Sequence, residues 1–305
     1  MNGKYLDIIK QKMSKVIVGT ASIRSEKENF ILWDKWYANG VNAFDTSFHY
    51  DNGRQEKLLG KWISNKHLKN IVLISKNTLD ENIDQSVEKL KVSLDRLKVD
   101  KIDFFLFHRT FSNIDIEKYL EVCNKMLSLK LIKCYGFSNI SHQTLKKLIK
   151  IEGKKNNILI SNNFSYAKMF RPPWEGVYSC NEEEFIKTLE TEKVTNFSWS
   201  SQAMGFFHNK FNKNYILSKI YQKLFGKKKE KKVFLTRKNS NKFKKLKNLA
   251  KEKNMDIESL SLSWVFNQNF PSYAIVNVNN SNQISSIINS CRTEFSEEDK
   301  FILNK

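Results

Sequence analysis

Short apolar runs alternate with amphipathic segments along most of the chain. The runs are rich in Val, Ile and Phe, as is typical of buried parallel strands. They are KVIVGT, VNAFD, IVLISK, IDFFLFH, LIKCYGFSN, NILISNN, TNFSWS and YAIVNV. Apolar residues at spacings of three and four predict helices between them, at 26–38, 55–63, 83–97, 116–129, 142–150, 182–190, 242–253 and 283–290. The pattern therefore predicts eight β/α units.

Eight parallel strands in 305 residues favour one closed (β/α)8 TIM barrel, a single domain spanning 1–305, over an open doubly wound sheet. No GxGxxG motif follows any predicted strand, which argues against a dinucleotide-binding open sheet. Two long loops interrupt the rhythm, at 167–180 after strand six and at 201–241 after strand seven. The second is predicted to contain a helix at 214–225 and a lysine cluster at 227–232. Because barrel enzymes bind ligands with the loops after their strands, we expect both loops near a site.

Composition excludes several classes of protein. Hydrophobic residues make up 40% of the chain, enough for a sizeable core. No apolar run is long enough to span a membrane, and the first residues are too polar for a signal peptide, so we expect a cytoplasmic protein with no membrane partner. The four cysteines are scattered without a CxxC pair. A disulfide framework or a metal site is therefore not expected.

The formal net charge of +20 is concentrated in one segment. Residues 210–253 contain seventeen Lys or Arg and two Glu, while the rest of the chain is nearly balanced. Aromatic residues are not interleaved with the basic cluster as a base-stacking surface would require, so no nucleic-acid partner is expected. A solvated surface or a contact with cofactor phosphates is favoured, and docking of a large polyanion stays an alternative. The oligomeric state is open.

Four residues suggest chemistry. Asp45, Lys76 and His108 each end a predicted strand, and Tyr50 follows Asp45 by five positions. Reduction of a carbonyl group needs a hydride at carbon and a proton at oxygen. Tyr50 is the candidate acid, Lys76 the cation that lowers its pKa, Asp45 the anchor of Lys76, and His108 a hydrogen-bond donor to the substrate oxygen. Singly, each residue could be a turn cap, a strand end or a loop aromatic, but their joint order favours a catalytic site.

The same segment resembles the aldo-keto reductase superfamily. The stretch GVNAFDT with Tyr50, Gly53, Glu56 and Gly60 matches that family's DTA-x-x-Y-x-x-E-x-x-x-G type of segment, and Lys76 and His108 fall at its third and fourth catalytic positions. The stretch GFSN that ends at Asn139 resembles its G-x-S-N. The resemblance covers about residues 15–290.

This resemblance implies a nicotinamide cofactor. Ser138, Asn139 and Asn163 would hydrogen-bond its carboxamide, with Asn163 replacing the usual Gln, and Trp199 would stack on its ring. Further cofactor contacts are implied for Gly19, Thr20, Asp45, Ser200, Ser201, Gln202 and Asn277.

The choice between NADPH and NADH depends on the residues that would contact the 2′-phosphate. The family usually uses NADPH, whose 2′-phosphate is held by basic residues after strand eight. No Lys or Arg occurs between Lys253 and Arg292, and Ser286 and Ile287 stand where the family has Glu and Asn at adenine. We therefore expect NADP(H) or NAD(H), with at most a modest preference for NADPH.

Together these features predict an oxidoreductase that passes a hydride from NAD(P)H to an aldehyde or ketone. A small polar carbonyl compound such as a sugar is the favoured substrate, with a lipid aldehyde as an alternative. Trp174 and Phe170 either line the substrate pocket or cover the barrel rim. The rival hypothesis is a barrel that binds cofactor without turnover and docks an acidic partner through 210–253, since some members of the family act as subunits of other proteins.

Overall fold

Eight short strands form a closed barrel in the computed structural model, which describes residues 13–109, 115–153, 158–208, 233–278 and 281–304. The strands are β1 (Val16–Gly19), β2 (Ala43–Asp45), β3 (Val72–Asn77), β4 (Ile102–Phe107), β5 (Ile132–Ser138), β6 (Leu159–Ser161), β7 (Thr195–Ser198) and β8 (Ser272–Val276). Each pairs in parallel with the next, and β8 pairs with β1. The predicted (β/α)8 barrel is confirmed.

Helices connect the strands on the outside of the ring. Those within the described residues are α1 (Glu26–Ala38), α2 (Arg54–Asn65), α3 (Ile83–Leu97), α4 (Ile116–Ser128), α5 (His142–Glu152), α6 (Glu183–Thr191), α7 (Arg237–Glu252), α8 (Ile257–Phe266), α9 (Asn282–Ser290) and α10 (Glu297–Asn304). Seven of them begin at a side chain that accepts a hydrogen bond from the backbone N–H three residues on: Ser25, Asn82, Asp115, Ser141, Thr236, Asp256 and Ser296. Local sequence therefore sets most helix starts.

Two helices were not predicted from the sequence, and α7 begins earlier than expected. The residues of α8 are buried on all sides apart from Glu258, so the helix has no polar face and no amphipathic period. The helix α10 is only eight residues long. The α7 helix begins at Arg237 rather than at 242, because Thr236 caps a first turn that carries no apolar period.

Two layers of apolar side chains form the core. Inside the barrel, buried side chains from the strands pack against one another: Ile17, Ala43, Val72, Ile74, Phe104, Leu106, Cys134, Leu159, Phe197 and Tyr273. A larger layer lies between the strands and the surrounding helices. The interior is thus filled, as in other barrels of this kind, and leaves room for a ligand only at its ends.

The carboxyl ends of the strands meet at one rim of the barrel, where the long loops predicted after β6 and β7 also begin. The predicted helix at 214–225 and the lysine cluster at 227–232 lie outside the described residues. Within the described part of the chain, no helix is long and apolar enough to cross a membrane.

Candidate active site

A buried ion pair lies at the carboxyl ends of β2 and β3. The Lys76 ammonium donates to Asp45 Oδ1 and, at 2.8 Å, to the Thr46 carbonyl. Both charged side chains are about 4% exposed. Burial alone would lower the pKa of Lys76, but the charges of Asp45 and Tyr50 and hydrogen bonds to both raise it. The ammonium therefore stays charged at neutral pH.

Tyr50 is presented to the cavity by an unusual turn. The three residues after it, Asp51, Asn52 and Gly53, all have left-handed backbone conformations, with φ values of 50°, 52° and 83°. Such conformations are costly for residues other than glycine and persist where surrounding contacts hold them. The turn reverses the chain between β2 and α2 and leaves the phenol beside Lys76.

A polar network centred on Arg96 of α3 supports this turn. Arg96 of α3 donates to the Phe48 carbonyl at 3.1 Å and to Glu56 Oε2 at 3.2 Å, and its guanidinium lies 4.3 Å from the centre of the Phe48 ring. The other Glu56 oxygen accepts from Ser75 Oγ at 2.8 Å. A side chain at Gly53 would collide with Arg96, 2.3 Å from its Cζ. The turn is thus packed as well as hydrogen-bonded.

The electrostatics of Tyr50 differ in one respect from the expectation. Lys76 lies 5.2 Å from the centre of the phenol ring, and its charge and a side-chain hydrogen bond lower the pKa of Tyr50, as predicted. Burial has the larger effect, however, and together with Asp45 it leaves the pKa of Tyr50 above its ordinary value. The hydroxyl is therefore protonated at neutral pH and can donate a proton.

His108 directly follows β4 and contacts Tyr50. The two rings contact edge to face with centroids 5.6 Å apart. Burial, followed by the charges of Lys76, Arg109 and His49, lowers the pKa of His108 to about 3. Its Nδ1 lies 3.0 Å from the Oγ of Ser47, a residue that the sequence reasoning did not select. His108 is therefore an uncharged imidazole.

These four side chains line one cavity of about 600 Å³. Most of the predicted cofactor residues line it too: Gly19, Asp45, Ser138, Asn139, Trp199, Ser200, Ser201, Gln202 and Asn277. Thr20 and Asn163 do not. Thr20 is buried, and its hydroxyl donates to the Asp45 carbonyl at 3.1 Å, so it ties β1 to β2.

The cavity end near β5 and β6 suits a carboxamide. Asn163 donates from its Nδ2 to the Trp199 carbonyl at 3.2 Å. Among the described residues, its buried Oδ1 and the buried Nε1 of Trp199 have no hydrogen-bond partner. Ser138 and Asn139 line the same region, with Asn139 in a left-handed conformation at φ 58°. Unused buried polar atoms are costly unless a ligand satisfies them, so these residues fit the predicted nicotinamide amide.

The loop after β6 closes one wall of the cavity. Trp174 stacks on Trp199 with centroids 6.2 Å apart, and the Arg109 guanidinium lies 6.0 Å from the centre of the Trp174 ring. Trp174 thus lines the cavity, whereas Phe170 is 63% exposed and does not. Three further aromatic residues also line the cavity: Phe206, Phe207 and Phe234.

Two cations, Arg24 in the loop after β1 and Lys35 in α1, contact the chain after β8, and the sequence pattern did not reveal them. Arg24 donates to Asn277 Oδ1 at 2.8 Å and to the Val278 carbonyl, just after β8. Asn277 in turn donates to Ser22 Oγ at 2.6 Å, and Lys35 of α1 donates to Ser281 Oγ at 2.7 Å. Although the stretch after β8 itself lacks Lys and Arg, two basic side chains contact it. The described residues contain no cluster of side chains that could hold a metal ion.

Comparison with known proteins identifies the family. The model of the Aldo/keto reductase family matches residues 15–304, and the chain belongs to this family. The uncharacterized oxidoreductase YqkF of Bacillus subtilis strain 168 is 27% identical over 210 residues, which are 65% of this chain and 64% of that protein. The chain thus spans less than two thirds of the length of this curated relative.

Two solved structures share the fold. The glycerol dehydrogenase AKR11B4 of Gluconobacter oxydans has a TM-score of 0.75 at 16% identity, covering 96% of this chain and 90% of that one. An aldo-keto reductase of Klebsiella pneumoniae in complex with NADPH has a TM-score of 0.71 at 16% identity and the same two coverages.

Proposed function

We propose that the protein reduces an aldehyde or ketone to an alcohol with NADPH or NADH. The observation that carries this proposal is the arrangement of Tyr50, Lys76, Asp45 and His108 around one cavity. A neutral phenol beside a buried, anchored ammonium is a proton donor, and a neutral imidazole nearby can hydrogen-bond the oxygen that receives the proton. Membership of the Aldo/keto reductase family supports the same reaction.

Each residue has one role in the proposed reaction. A reduced nicotinamide, when bound, would supply the hydride that the carbonyl carbon needs. As negative charge develops on the carbonyl oxygen, the Tyr50 hydroxyl gives it a proton, so that the C=O bond becomes an alcohol. The Lys76 ammonium stabilises the resulting phenolate, and Asp45 holds that ammonium in place. A solvent proton then restores the phenol, and the reverse sequence would oxidise an alcohol.

The residues at the β5 and β6 end would hold the cofactor. Ser138 and Asn139, which line the cavity, would be the polar partners of the carboxamide. Trp199 would stack on the nicotinamide ring with one face of its indole, because Trp174 covers the other face of Trp199.

The substrate class is tested most directly with a panel of carbonyl compounds. A sugar is the favoured guess from the polar loops, yet the aromatic wall around Trp174 also suits aromatic and aliphatic aldehydes. The panel should therefore include a sugar aldehyde, an aromatic aldehyde and a long-chain aldehyde, each with NADPH and NADH. Oxidation of the cofactor is followed by its absorbance.

Tyr50→Phe is the decisive variant. It removes the proton donor and keeps the ring, so we expect carbonyl reduction to fall at least a hundredfold while cofactor affinity, measured by tryptophan fluorescence, changes little. Phe170→Leu, on the same rim but outside the cavity, serves as a control and should keep full activity. Equal activity of Tyr50→Phe and the unaltered protein would remove Tyr50 from the mechanism. Cofactor binding without turnover of any carbonyl compound would favour the regulatory-subunit hypothesis.

A further inference from the structure

Ser47 joins the backbone of β3 to the imidazole of His108. Its side chain is fully buried in the loop after β2 and does not line the cavity. Its Oγ lies 3.1 Å from the Lys76 carbonyl oxygen, 3.0 Å from His108 Nδ1 and 3.4 Å from the backbone N–H of His49. The first of these neighbours only accepts hydrogen bonds, the last only donates, and the imidazole nitrogen can do either.

A serine hydroxyl has one proton, so two arrangements are possible. If Ser47 donates to the Lys76 carbonyl, His108 Nδ1 must carry the imidazole proton and donate to Ser47. His108 Nε2 then offers a lone pair. If Ser47 instead donates to His108 Nδ1, Nε2 carries the proton. Because His108 is uncharged at neutral pH, only one of its nitrogens is protonated at a time.

The two arrangements suit different contents of the cavity. Without a carbonyl compound, donation from Ser47 to the Lys76 carbonyl is favoured. In that arrangement Ser47 makes three hydrogen bonds, whereas donation to His108 leaves it with two. With a carbonyl oxygen in the cavity, a lone pair on Nε2 would face another lone pair. Rotating the Ser47 hydroxyl removes this conflict and leaves no buried carbonyl without a partner, because the Lys76 carbonyl also accepts from the backbone N–H of Phe48 at 3.0 Å.

We propose that Ser47 is a positioning residue whose hydroxyl turns from the Lys76 carbonyl to His108 Nδ1 when a carbonyl substrate binds, making Nε2 a hydrogen-bond donor. The proposal rests on the proposed function. The imidazole loses its Nδ1 proton and gains one at Nε2 through cavity water, so its total proton count is unchanged. In the oxidation direction, the unrotated arrangement would present an acceptor to an alcohol hydroxyl.

The tautomer of His108 is directly measurable. The chain has five histidines, so ¹⁵N-labelling of histidine gives a sparse nuclear magnetic resonance spectrum in which His108→Gln identifies one set of signals. Spectra are recorded for the protein alone and for its complex with NADP⁺ and para-nitrobenzaldehyde, in which no hydride can transfer. We expect protonated Nδ1 in the first state and protonated Nε2 in the second. The same tautomer in both states overturns the proposal.

Kinetics test whether Ser47 acts through His108. Ser47→Ala should lower kcat/KM for the aldehyde about tenfold to a hundredfold, less than the roughly hundred- to thousandfold loss of an entire oxyanion donor. NADPH affinity should be unchanged, and Ser47→Thr should restore most of the rate. Ser263→Ala, which removes another fully buried hydroxyl in α8, is the matched control for stability. In the His108→Gln background, Ser47→Ala should have little further effect, since it would act only through the missing imidazole.

These outcomes separate the two proposals. An active enzyme in which Ser47→Ala keeps the full rate, or costs as much in the His108→Gln background as alone, overturns the role of Ser47 and leaves carbonyl reduction intact. Absence of turnover in the unaltered protein overturns the proposed function, whereas the spectra still decide which nitrogen of His108 is protonated.

Discussion

At the scale of single residues, the site depends on charges that are buried but fully partnered. Removing an ammonium and a carboxylate from water is costly, and the cost is offset only when both ions are paired and hydrogen-bonded. Lys76 meets this condition through Asp45, the Thr46 carbonyl and Tyr50. The pair therefore places a fixed cation beside the phenol. Replacing only one of the two residues would leave the other as an unpaired buried charge.

Replacement of Lys76 tests this dependence. Lys76→Met leaves Asp45 as an unpaired buried carboxylate, so we expect about 3–5 kcal/mol loss of unfolding free energy together with loss of activity. The double variant Asp45→Asn with Lys76→Met removes both charges and should recover much of the stability but none of the activity. Urea denaturation and the aldehyde assay measure the two effects. Equal stability of the single and double variants would argue against coupling between the two side chains.

At the scale of elements, the site is assembled by loops from distant parts of the chain. The loop after β1 reaches the end of β8 through Arg24 and Asn277, two residues that are neighbours only because the barrel closes. The loop after β2 is held by Arg96 of α3. The loop after β6 places Trp174 against Trp199. Each contact joins elements that the ring of strands has already brought together.

The position of Arg24 gives a prediction on cofactor choice. We expect NADPH to bind less than about a hundredfold more tightly than NADH, a difference under about 2.7 kcal/mol, because the only cations at the end of β8 among the described residues come from other elements and are already hydrogen-bonded. Arg24→Ala should weaken NADPH more than NADH. Arg292→Ala, at an exposed arginine that does not line the cavity, is the control. Equal weakening of both cofactors by Arg24→Ala would mean that Arg24 only ties the loop.

Sequence reasoning found the parts that leave a local pattern. Asp45, Lys76 and His108 were recognisable because each ends an apolar run, and the order of the eight strands followed from those runs. Ser47 gave no signal, since a serine after a strand is ordinary and its partner lies 61 residues away. Arg24 meets its partner 253 residues away. The α8 helix has no polar face to reveal its period. The sequence therefore did not predict contacts between residues far apart in the chain, nor a helix that is buried on nearly all sides.

At the scale of the whole molecule, the buried imidazole links folding to pH. In the unfolded chain His108 takes up a proton near pH 6.5, whereas in the folded protein it does so only near pH 3. Between these values the unfolded state binds more protons, so acid favours unfolding. Above about pH 6.5 His108 is uncharged in both states, so its protonation no longer changes the stability.

We therefore expect stability to fall as pH decreases from 6.5, with His108 contributing at most about 1.4 kcal/mol per pH unit. His108→Gln, which cannot be protonated in this range, should lose less stability between pH 7 and pH 5 than the unaltered protein. Phe170→Leu, an exposed change that removes no titratable group, is the control and should leave the pH dependence unaltered. Urea midpoints at both pH values provide the measurement. Identical slopes for His108→Gln and the unaltered protein would contradict the assignment.

The three left-handed residues after Tyr50 also limit how this part of the chain can vary. The phenol is fixed between strand β2 at one end and helix α2 at the other, with Arg96 filling the space beneath Gly53. An added or deleted residue in 46–55 would shift the phenol away from Lys76 or push the backbone onto the guanidinium. The segment therefore acts as a spacer of constant length, in which the number of residues between β2 and α2 cannot change.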